Sequence, residues 1–293
     1  MPARPIDHLV LGSADLDALA GLFKSLGFQV GSRNRHPWGT ENRIIQLADQ
    51  SFLELITVGE GAEIAPHAPG HFSFGAFVHD GIRRLPGLSM VVLKSTDAQA
   101  DAAQFTRDGI GGFAPFDFAR KAIGPDGQKA EVAFSLAFAA DRALANCGFF
   151  TCQHHMPQNF WAPDRQTHPN GAFGVRAVTI VAENPSDHHI FLSAFTGSRE
   201  MRAGSSGISI PCGHGMLEIL TRESFRHLYG VEAPPSDGPL FAGFSLAVKD
   251  PAEVGKRGAA AGLTCLGVGK AITLAPQPAF STAIRFEPQG GGA

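Results

Sequence analysis

The sequence lacks several features that would point at once to a location or a chemistry. Its 293 residues contain one tyrosine and four cysteines against 23 phenylalanines. The single tyrosine leaves phenol chemistry almost without a candidate, and cysteines without a CxxC pair favour reduced thiols in a cytoplasmic protein. No run approaches the roughly 18 apolar residues of a membrane span, and the N-terminus has no signal-peptide pattern. We therefore expect neither membrane insertion nor export.

Charge and short motifs exclude further classes. Lysine and arginine number 24 and aspartate and glutamate 27, for a net charge of −3. No basic block or stripe is present, which argues against nucleic acid and anionic membranes as partners. The G-x-S-x-G, G-x-x-x-x-G-K-[ST] and H-E-x-x-H motifs are also absent. A small molecule remains as the expected partner, and a homodimer stays open.

The chain contains an internal repeat. The segment that begins at His8 aligns with the one at Met90 at a constant offset, since 97 − 15 and 109 − 27 both give 82 for the Asp and Gly pairs. Each copy has an apolar strand, an Asp that can cap a helix, an amphipathic helix and a Gly at the helix end. A third copy begins near residue 177, and a fourth matches the first at an offset of 235, since 250 − 15 and 262 − 27 agree.

Three β-like runs follow the first and the third helix. The run FLELIT at 52–57 resembles MLEILT at 216–221, which places Glu54 in register with Glu218. The repeating unit is therefore βαβββ, and one unit cannot bury both faces of its sheet alone. The fold prediction is α+β, with four βαβββ units paired into two cupped mixed sheets and helices on the outer face. Two domains are expected, 1–165 and 170–293, joined by a linker at 162–174.

The repeat resembles a known superfamily. IDHLVL at the start and FLELI at the end of the first unit resemble the vicinal oxygen chelate superfamily, which includes glyoxalase I, extradiol dioxygenases and bleomycin-resistance proteins. The run HPWGTENRIIQLADQSFLELI is similar to the glyoxalase-like domain family. In this superfamily metal ligands come from the first and last strands of each unit, and the fold hosts many chemistries.

The resemblance implies a metal site in the first domain. His8 and Glu54 match the first-strand and last-strand ligands of unit one, and Met90 stands at the first-strand position of unit two. The last-strand position falls in CGFFTCQHHM, where alternation leaves either His154 or Gln153 facing the cup. With His154 the ligands form a 2-His-1-carboxylate set for Mn, Fe, Ni, Co or Zn.

The second domain departs from this pattern. Its matching positions are Ala177, Glu218, Gly243 and Glu287, and none offers an imidazole. We expect this domain to lack a catalytic metal. The departure also argues against an extradiol-type dioxygenase. The two-domain extradiol dioxygenases that the chain resembles take both histidine ligands from the first strands of the second domain.

Other side chains are candidates for substrate binding. In the connection HPWGTEN, a tight turn can place His36, Trp38 and Asn42 at the mouth of the cup. Arg120 could hold an anionic substrate, and it precedes a hairpin turn predicted at 125–127. Met90 and Gln153 complete the set of predicted substrate contacts.

The leading functional hypothesis is a metal-dependent lyase or isomerase acting on a small substrate with adjacent oxygens. Glu54 could serve as ligand or as general base. The Glu54 carboxylate, which lies among Phe52, Leu53 and Leu55, is costly to bury without a partner. A salt bridge to Arg43 would account for its burial without any catalytic role. The alternative is a metal-free protein that binds or sequesters a small molecule.

Overall fold

The structure is a computed structural model, and it describes residues 3–124 and 127–290. The hairpin turn predicted at 125–127 therefore falls mostly outside the described residues. The first half of the chain forms eight strands and three helices: β1 (Ile6–Gly12), α1 (Leu16–Ser25), β2 (Asn34–Arg35), β3 (Thr40–Gln46), β4 (Phe52–Val58), α2 (Phe74–Arg84), β5 (Gly87–Lys94), α3 (Ala98–Arg107), β6 (Phe116–Ile123), β7 (Lys129–Ala139) and β8 (Gly148–His154).

The second half repeats this sequence of elements. It comprises β9 (Ala172–Val181), α4 (His189–Thr196), β10 (Arg202–Gly204), β11 (Gly207–Cys212), β12 (Gly215–Leu220), α5 (Arg222–Tyr229), β13 (Leu240–Val248), α6 (Pro251–Ala260), β14 (Cys265–Val268), β15 (Ala271–Leu274) and β16 (Ala283–Pro288). Among the described residues, no helix is both long and apolar enough to cross a membrane.

The strands form two mixed sheets of eight. The first has the order β2-β3-β4-β1-β5-β8-β7-β6 and the second β10-β11-β12-β9-β13-β16-β15-β14. In each sheet two units meet along their antiparallel first strands, while the last strand of each unit lies parallel to its own first strand. The predicted fold class, paired βαβββ units in two mixed sheets, is confirmed.

The helix ends follow the signals in the repeat. The side chain of Asp15 accepts hydrogen bonds from the first-turn amides of α1, and Asp97 and Asp250 cap α3 and α6 in the same way. Gly27 and Gly262 follow α1 and α6 with φ of 87° and 74°, in the left-handed region that glycine enters without steric cost. The predicted cap and stop residues are confirmed.

The four helices within the units share one core. This cluster contains α1 and α3 residues together with α4 and α6 residues and the adjoining face of both sheets. Phe105 of α3 lies 6.0 Å from Phe195 of α4, and Phe149 of β8 lies 4.9 Å from Phe191, measured between ring centroids. The helices on the outer face of each predicted cup are therefore packed between the two sheets.

Two further helices, α2 and α5, lie on the opposite faces of the sheets. Phe74 and Val78 of α2 pack with β-strand residues such as Val10 in a second, separate cluster. Phe225 and Tyr229 of α5 do the same on the second sheet. Neither helix belongs to the βαβββ repeat, and the prediction of helices on the outer face alone omitted both.

The first sheet curls strongly. In a flat sheet seven strand spacings would separate the edges β2 and β6 by roughly 34 Å. Instead, Arg120 on β6 donates a 3.3 Å hydrogen bond from Nη1 to Oδ1 of Asn34 on β2. We call the space enclosed by the concave face of this sheet, by α2 and by these two edges the cup.

The connection at 162–174 is hydrogen-bonded to β3 and to the segment that follows α1, and its last three residues belong to β9. His168 hydrogen-bonds the carbonyl of Gln46 at 2.7 Å through Nε2 and accepts from the amide of Gln29 at 3.0 Å through Nδ1. Asn170 donates to the carbonyl of Leu26 at 2.9 Å. The predicted linker is thus held by hydrogen bonds to the first half of the chain.

Candidate active site

Strand register brings the two predicted unit-one ligands into the cup. In the parallel pair of β1 and β4, His8 lies opposite Phe52, and Val10 lies opposite Glu54. The side chains of His8 and Glu54 are buried and line a small cavity. Because side chains alternate along a strand, their neighbours Leu9, Leu53 and Leu55 point into the helical core.

The same register identifies the counterpart of Glu54 in unit two. In unit two Met90 lies opposite Gly148 and Val92 opposite Phe150, so Phe150 is the counterpart of Glu54. His154 lies four residues further along β8. Two of the four family positions in the cup are therefore Met90 and Phe150, neither of which suits a hard divalent cation.

Glu54 lies among three polar side chains. Asn42 donates from Nδ2 to Oε1 of Glu54 at 2.6 Å. The Nε2 atoms of His36 and His8 lie 3.6 Å from Oε1 and 3.9 Å from Oε2 respectively. Arg43 binds Asp17 and the Gly31 carbonyl, so the salt bridge considered for Glu54 is not made.

His36 is held in one tautomer by its neighbours. Its Nδ1 is 2.8 Å from the hydroxyl of Thr40, and its Nε2 is 3.2 Å from Nδ2 of Asn42. Because the amide nitrogen of Asn42 can only donate, Nε2 of His36 is the acceptor and the proton lies on Nδ1. Burial lowers the pKa of His36 to about 4, against the opposing charge of Glu54. His36 is thus a neutral imidazole at neutral pH, and Trp38 stacks on it at 4.5 Å.

His8 and His154 are joined through Asp7. His8 donates from Nδ1 to Oδ2 of Asp7 at 2.7 Å, and His154 donates to the same oxygen from Nε2 at 3.2 Å. Burial by itself would raise the pKa of Asp7, but the charge of His154 and the hydrogen bonds from both imidazoles outweigh it and hold this pKa well below its usual range. His154 therefore faces Asp7 and does not line the cavity beside Glu54.

Two other predicted contacts are placed away from the cavity. Gln153 points to the opposite face of β8, where its Oε1 accepts from the amide of Ala98 at the start of α3 at 3.0 Å. Met90 is completely buried in the apolar part of the cup and is not among the residues that line the cavity.

Among the described residues, two groups are candidates to hold a metal ion. Asp7, Cys152 and His154 bring three ligand atoms within 4.8 Å of one another. Burial raises the pKa of Cys152 well above its ordinary value, and Asp7 Oδ2 already accepts two hydrogen bonds, so this group suits a divalent ion poorly. His8 Nε2 and Glu54 Oε2 fit better, because the remaining atoms of both side chains are anchored by Asp7 and Asn42, as in the outer shell of metal sites.

The cavity beside Glu54 has a volume of about 40 Å³, enough for an ion or a water molecule. Its remaining lining is mostly aromatic and consists of Trp38, Phe52, Phe74, Phe118, Phe134, Phe150 and Phe160, together with Ile44, Arg120, Leu136 and Cys152. A groove of about 620 Å³ adjoins it and shares Ile44, Arg120 and Phe160 with its lining.

The second sheet places different residues at the corresponding positions. Gly243 lies opposite Ala283 and Ser245 opposite Arg285, so Arg285 is the counterpart of Glu54, two residues before the predicted Glu287. A Cβ atom on Gly243 would lie 2.6 Å from the Tyr229 ring, which occupies this space. Glu218 accepts from the Thr179 hydroxyl at 3.1 Å, and burial raises the pKa of Glu218. The single tyrosine thus fills the site where a ligand would lie.

Paired βαβββ units with polar side chains on the concave face define the vicinal oxygen chelate class of fold. Within that class, the model of the Glyoxalase-like domain matches residues 6–196, and the chain belongs to this family. The match extends past the first sheet into the third unit. No curated protein matches the chain.

Solved structures share the fold at low sequence identity. A hypothetical protein from Staphylococcus aureus superposes with a TM-score of 0.62 at 11% identity, over 97% of this chain and 99% of that chain. A Mn(II)-bound glyoxalase from Novosphingobium aromaticivorans gives 0.59 at 10% identity, over 98% and 82%. A mutant of 4-hydroxymandelate synthase from Streptomyces coelicolor gives 0.58 at 13% identity, over 100% and 94%.

Sequence reasoning missed Asp7, and it predicted His36 at the mouth of the cup without placing it beside Glu54. Asp7 was unassigned although it precedes His8, and a carboxylate next to a candidate ligand is a signal for an outer-shell partner. The place of His36 beside Glu54 depends on the β2–β3 turn, which the pattern HPWGT indicated without fixing its direction. Asp7 holds His8 in position through Nδ1, whereas Asn42, and not His36, holds the Glu54 carboxylate.

Proposed function

We propose that this protein is a lyase or isomerase for a small substrate with adjacent oxygen atoms, with Glu54 as its proton-accepting group and a divalent metal ion as cofactor. The observation that carries the proposal is the pair His8 Nε2 and Glu54 Oε2, 3.9 Å apart and facing a cavity. This separation is too long for a hydrogen bond, so each atom can still bind an ion or a substrate.

His8 and Glu54 would hold the ion. His36 offers a third nitrogen, unprotonated at neutral pH, if Asn42 gives up its hydrogen bond to it. When bound, a divalent ion supplies Lewis-acid stabilisation of negative charge on the substrate oxygens.

The carboxylate of Glu54 is arranged for proton transfer. Asn42 occupies Oε1, so Oε2 is the atom left, and when it is not bound to the ion it can take a proton from a substrate carbon next to a carbonyl group. The electron pair of the broken C–H bond enters the substrate. Glu54 then returns the proton to the neighbouring carbon in an isomerase, or a group leaves with the electron pair in a lyase.

Proton exchange tests the role of Glu54 without knowledge of the natural substrate. Small 2-hydroxy ketones and 2-oxo acids are incubated with the protein in D₂O, and deuterium incorporation is followed by NMR. Glu54→Gln should slow exchange by roughly a hundredfold or more. The exposed Glu63→Gln is the matched control and should leave the rate unchanged. Equal exchange rates in the two variants would contradict the proposal.

Metal analysis of protein purified without a His tag tests the cofactor. We expect bound Mn, Fe, Ni, Co or Zn, and a lower metal content in His8→Gln. No bound metal, together with no thermal shift on adding any of the five ions, would reject a divalent metal ion as cofactor.

A metal-free binding protein is the second candidate. It is favoured by Met90 and Phe150, which occupy two of the four family ligand positions. In that case Glu54→Gln would retain ligand binding, and neither metal uptake nor proton exchange would be observed.

A further inference from the structure

The groove beside the cup adjoins the cavity that Glu54 lines. It runs between Gly31–Asn34 with β3 on one side and the β6–β7 hairpin on the other, and it meets the cavity at Ile44, Arg120 and Phe160. Because the cavity measures only about 40 Å³, most of a substrate whose reactive atoms reach Glu54 must lie in the groove of about 620 Å³.

The groove is strongly cationic although the chain has a net charge of −3. Its charged lining residues are Arg33, Arg120, Lys121, Lys129, Arg165 and a single carboxylate, Glu131. Arg33 is neutralised by Asp17 and Glu41. For the other four cations, no ion pair with a carboxylate forms within residues 3–124 and 127–290. Such a cluster raises the local concentration of anions.

Arg120 lies at the junction of groove and cavity with part of its hydrogen-bonding capacity unused. Nη1 bonds Asn34 at 3.3 Å, while Nε is buried and has no partner in the described part of the chain. Burial lowers the pKa of Arg120, against the charge of Glu54. A desolvated guanidinium is stabilised by an anion that accepts two parallel hydrogen bonds.

We infer that the substrate is a small organic anion whose carboxylate or phosphate binds Arg120, while its reactive carbon reaches Glu54. This inference rests on the proposed function for the reactive end, but the binding of the anion stands on the groove alone. Ile44, Ala122, Val132 and Phe160 give the groove an apolar wall against which the body of such an anion can pack.

Matched pairs of simple probes test the charge. Benzoate and phenyl phosphate are titrated by calorimetry against benzamide and phenol, their neutral counterparts. We expect the anions to bind more tightly and their affinity to fall as salt rises. A preference for benzoate or for phenyl phosphate identifies the anionic group. Equal binding of charged and neutral probes, or no binding of either anion, would overturn the inference.

Variants test the assignment to Arg120. Arg120→Gln should weaken benzoate or phenyl phosphate about tenfold, and Arg120→Lys should restore part of the affinity. Lys129→Gln should have a smaller effect, and Lys256→Gln, on the exposed side of α6, none. If Arg120→Gln is folded by circular dichroism and binds the anions as the unsubstituted protein does, Arg120 is not the binding group.

The same titrations in Glu54→Gln separate this inference from the proposed function. Suppose that Glu54→Gln still binds the anions and that the unsubstituted protein shows no proton exchange. This result would support anion binding in the groove and reject the proposed lyase or isomerase activity. Proton exchange that depends on Glu54 but shows no preference for anionic substrates would reject the inference that the groove binds an anionic group, and would leave the proposed function standing.

Discussion

Asn42 donates a 2.6 Å hydrogen bond to Glu54 from the neighbouring strand, and the same amide nitrogen lies 3.2 Å from Nε2 of His36. One side chain thus fixes both the orientation of the carboxylate and the tautomer of the imidazole.

Asn42→Ala should destabilise the protein by about 1–3 kcal/mol, because a buried carboxylate oxygen and an imidazole nitrogen lose their donor. Urea unfolding measures the change. Asn184→Ala is the control, since Asn184 is exposed and makes no capping hydrogen bond at the start of the turn before α4. A stable Asn42→Ala would show that water replaces the amide without cost.

The lowered pKa of His36 should make the stability of the protein depend on pH. Its pKa is about 4 in the folded state against an ordinary 6.5, so the unfolded chain binds the proton more readily and stability falls as pH falls. Above pH 6.5 the full stability is present, and between 6.5 and 4 roughly 3 kcal/mol should be lost. His36→Gln should flatten this part of the curve in urea unfolding, whereas the exposed His227→Gln should not.

Gly243→Ala should cost about 1–3 kcal/mol through overpacking against Tyr229. The added Cβ would lie 2.6 Å from one ring atom of Tyr229 and 2.8 Å from the next. The cost should shrink in a Tyr229→Ala background, which a double-mutant cycle by chemical denaturation measures. Gly238→Ala, which meets open space, is the control. An unchanged free energy of unfolding in Gly243→Ala would mean that the ring moves freely.

The thiols of the native protein should react slowly with alkylating reagents at pH 8. All four cysteines are free, and burial raises the pKa of Cys147 to about 12 and that of Cys152 well above its ordinary value. Cys265, which is half-buried, should be labelled first, and Cys265→Ser should remove that product in mass spectrometry. Rapid labelling of Cys152 would indicate that the cup opens.

The repeat in the sequence predicted the strands, the capping residues and the pairing of units, because local signals for these features recur at fixed offsets. The offset of 82 does not extend to the last strands. Glu54 plus 82 gives 136, whereas its structural counterpart is Phe150, because the β6–β7 hairpin is longer than β2–β3. The offset therefore cannot locate the fourth position, and the predicted ligand His154 lies four residues past the counterpart of Glu54.

Contacts between distant parts of the chain could not be predicted in this way. Asp7 and His154 are 147 residues apart, and their contact depends on the pairing of units one and two and on a register irregularity between Ile6 and His8. Helix α2, which closes the cup, lies between units one and two and, like α5 in the second half, is not part of the βαβββ unit, so the aligned segments did not include it.

The helical layer between the sheets bears on how the protein can be divided. A fragment that ends near residue 165 would retain Phe105 and Phe149 but lose Phe195 and Phe191, the rings against which they pack. It would also lose His168 and Asn170, which bond the carbonyls of Gln46 and Leu26. Such a fragment would expose to water the apolar surface that the second half now covers, and it should self-associate. Binding experiments on the cup therefore require the whole chain.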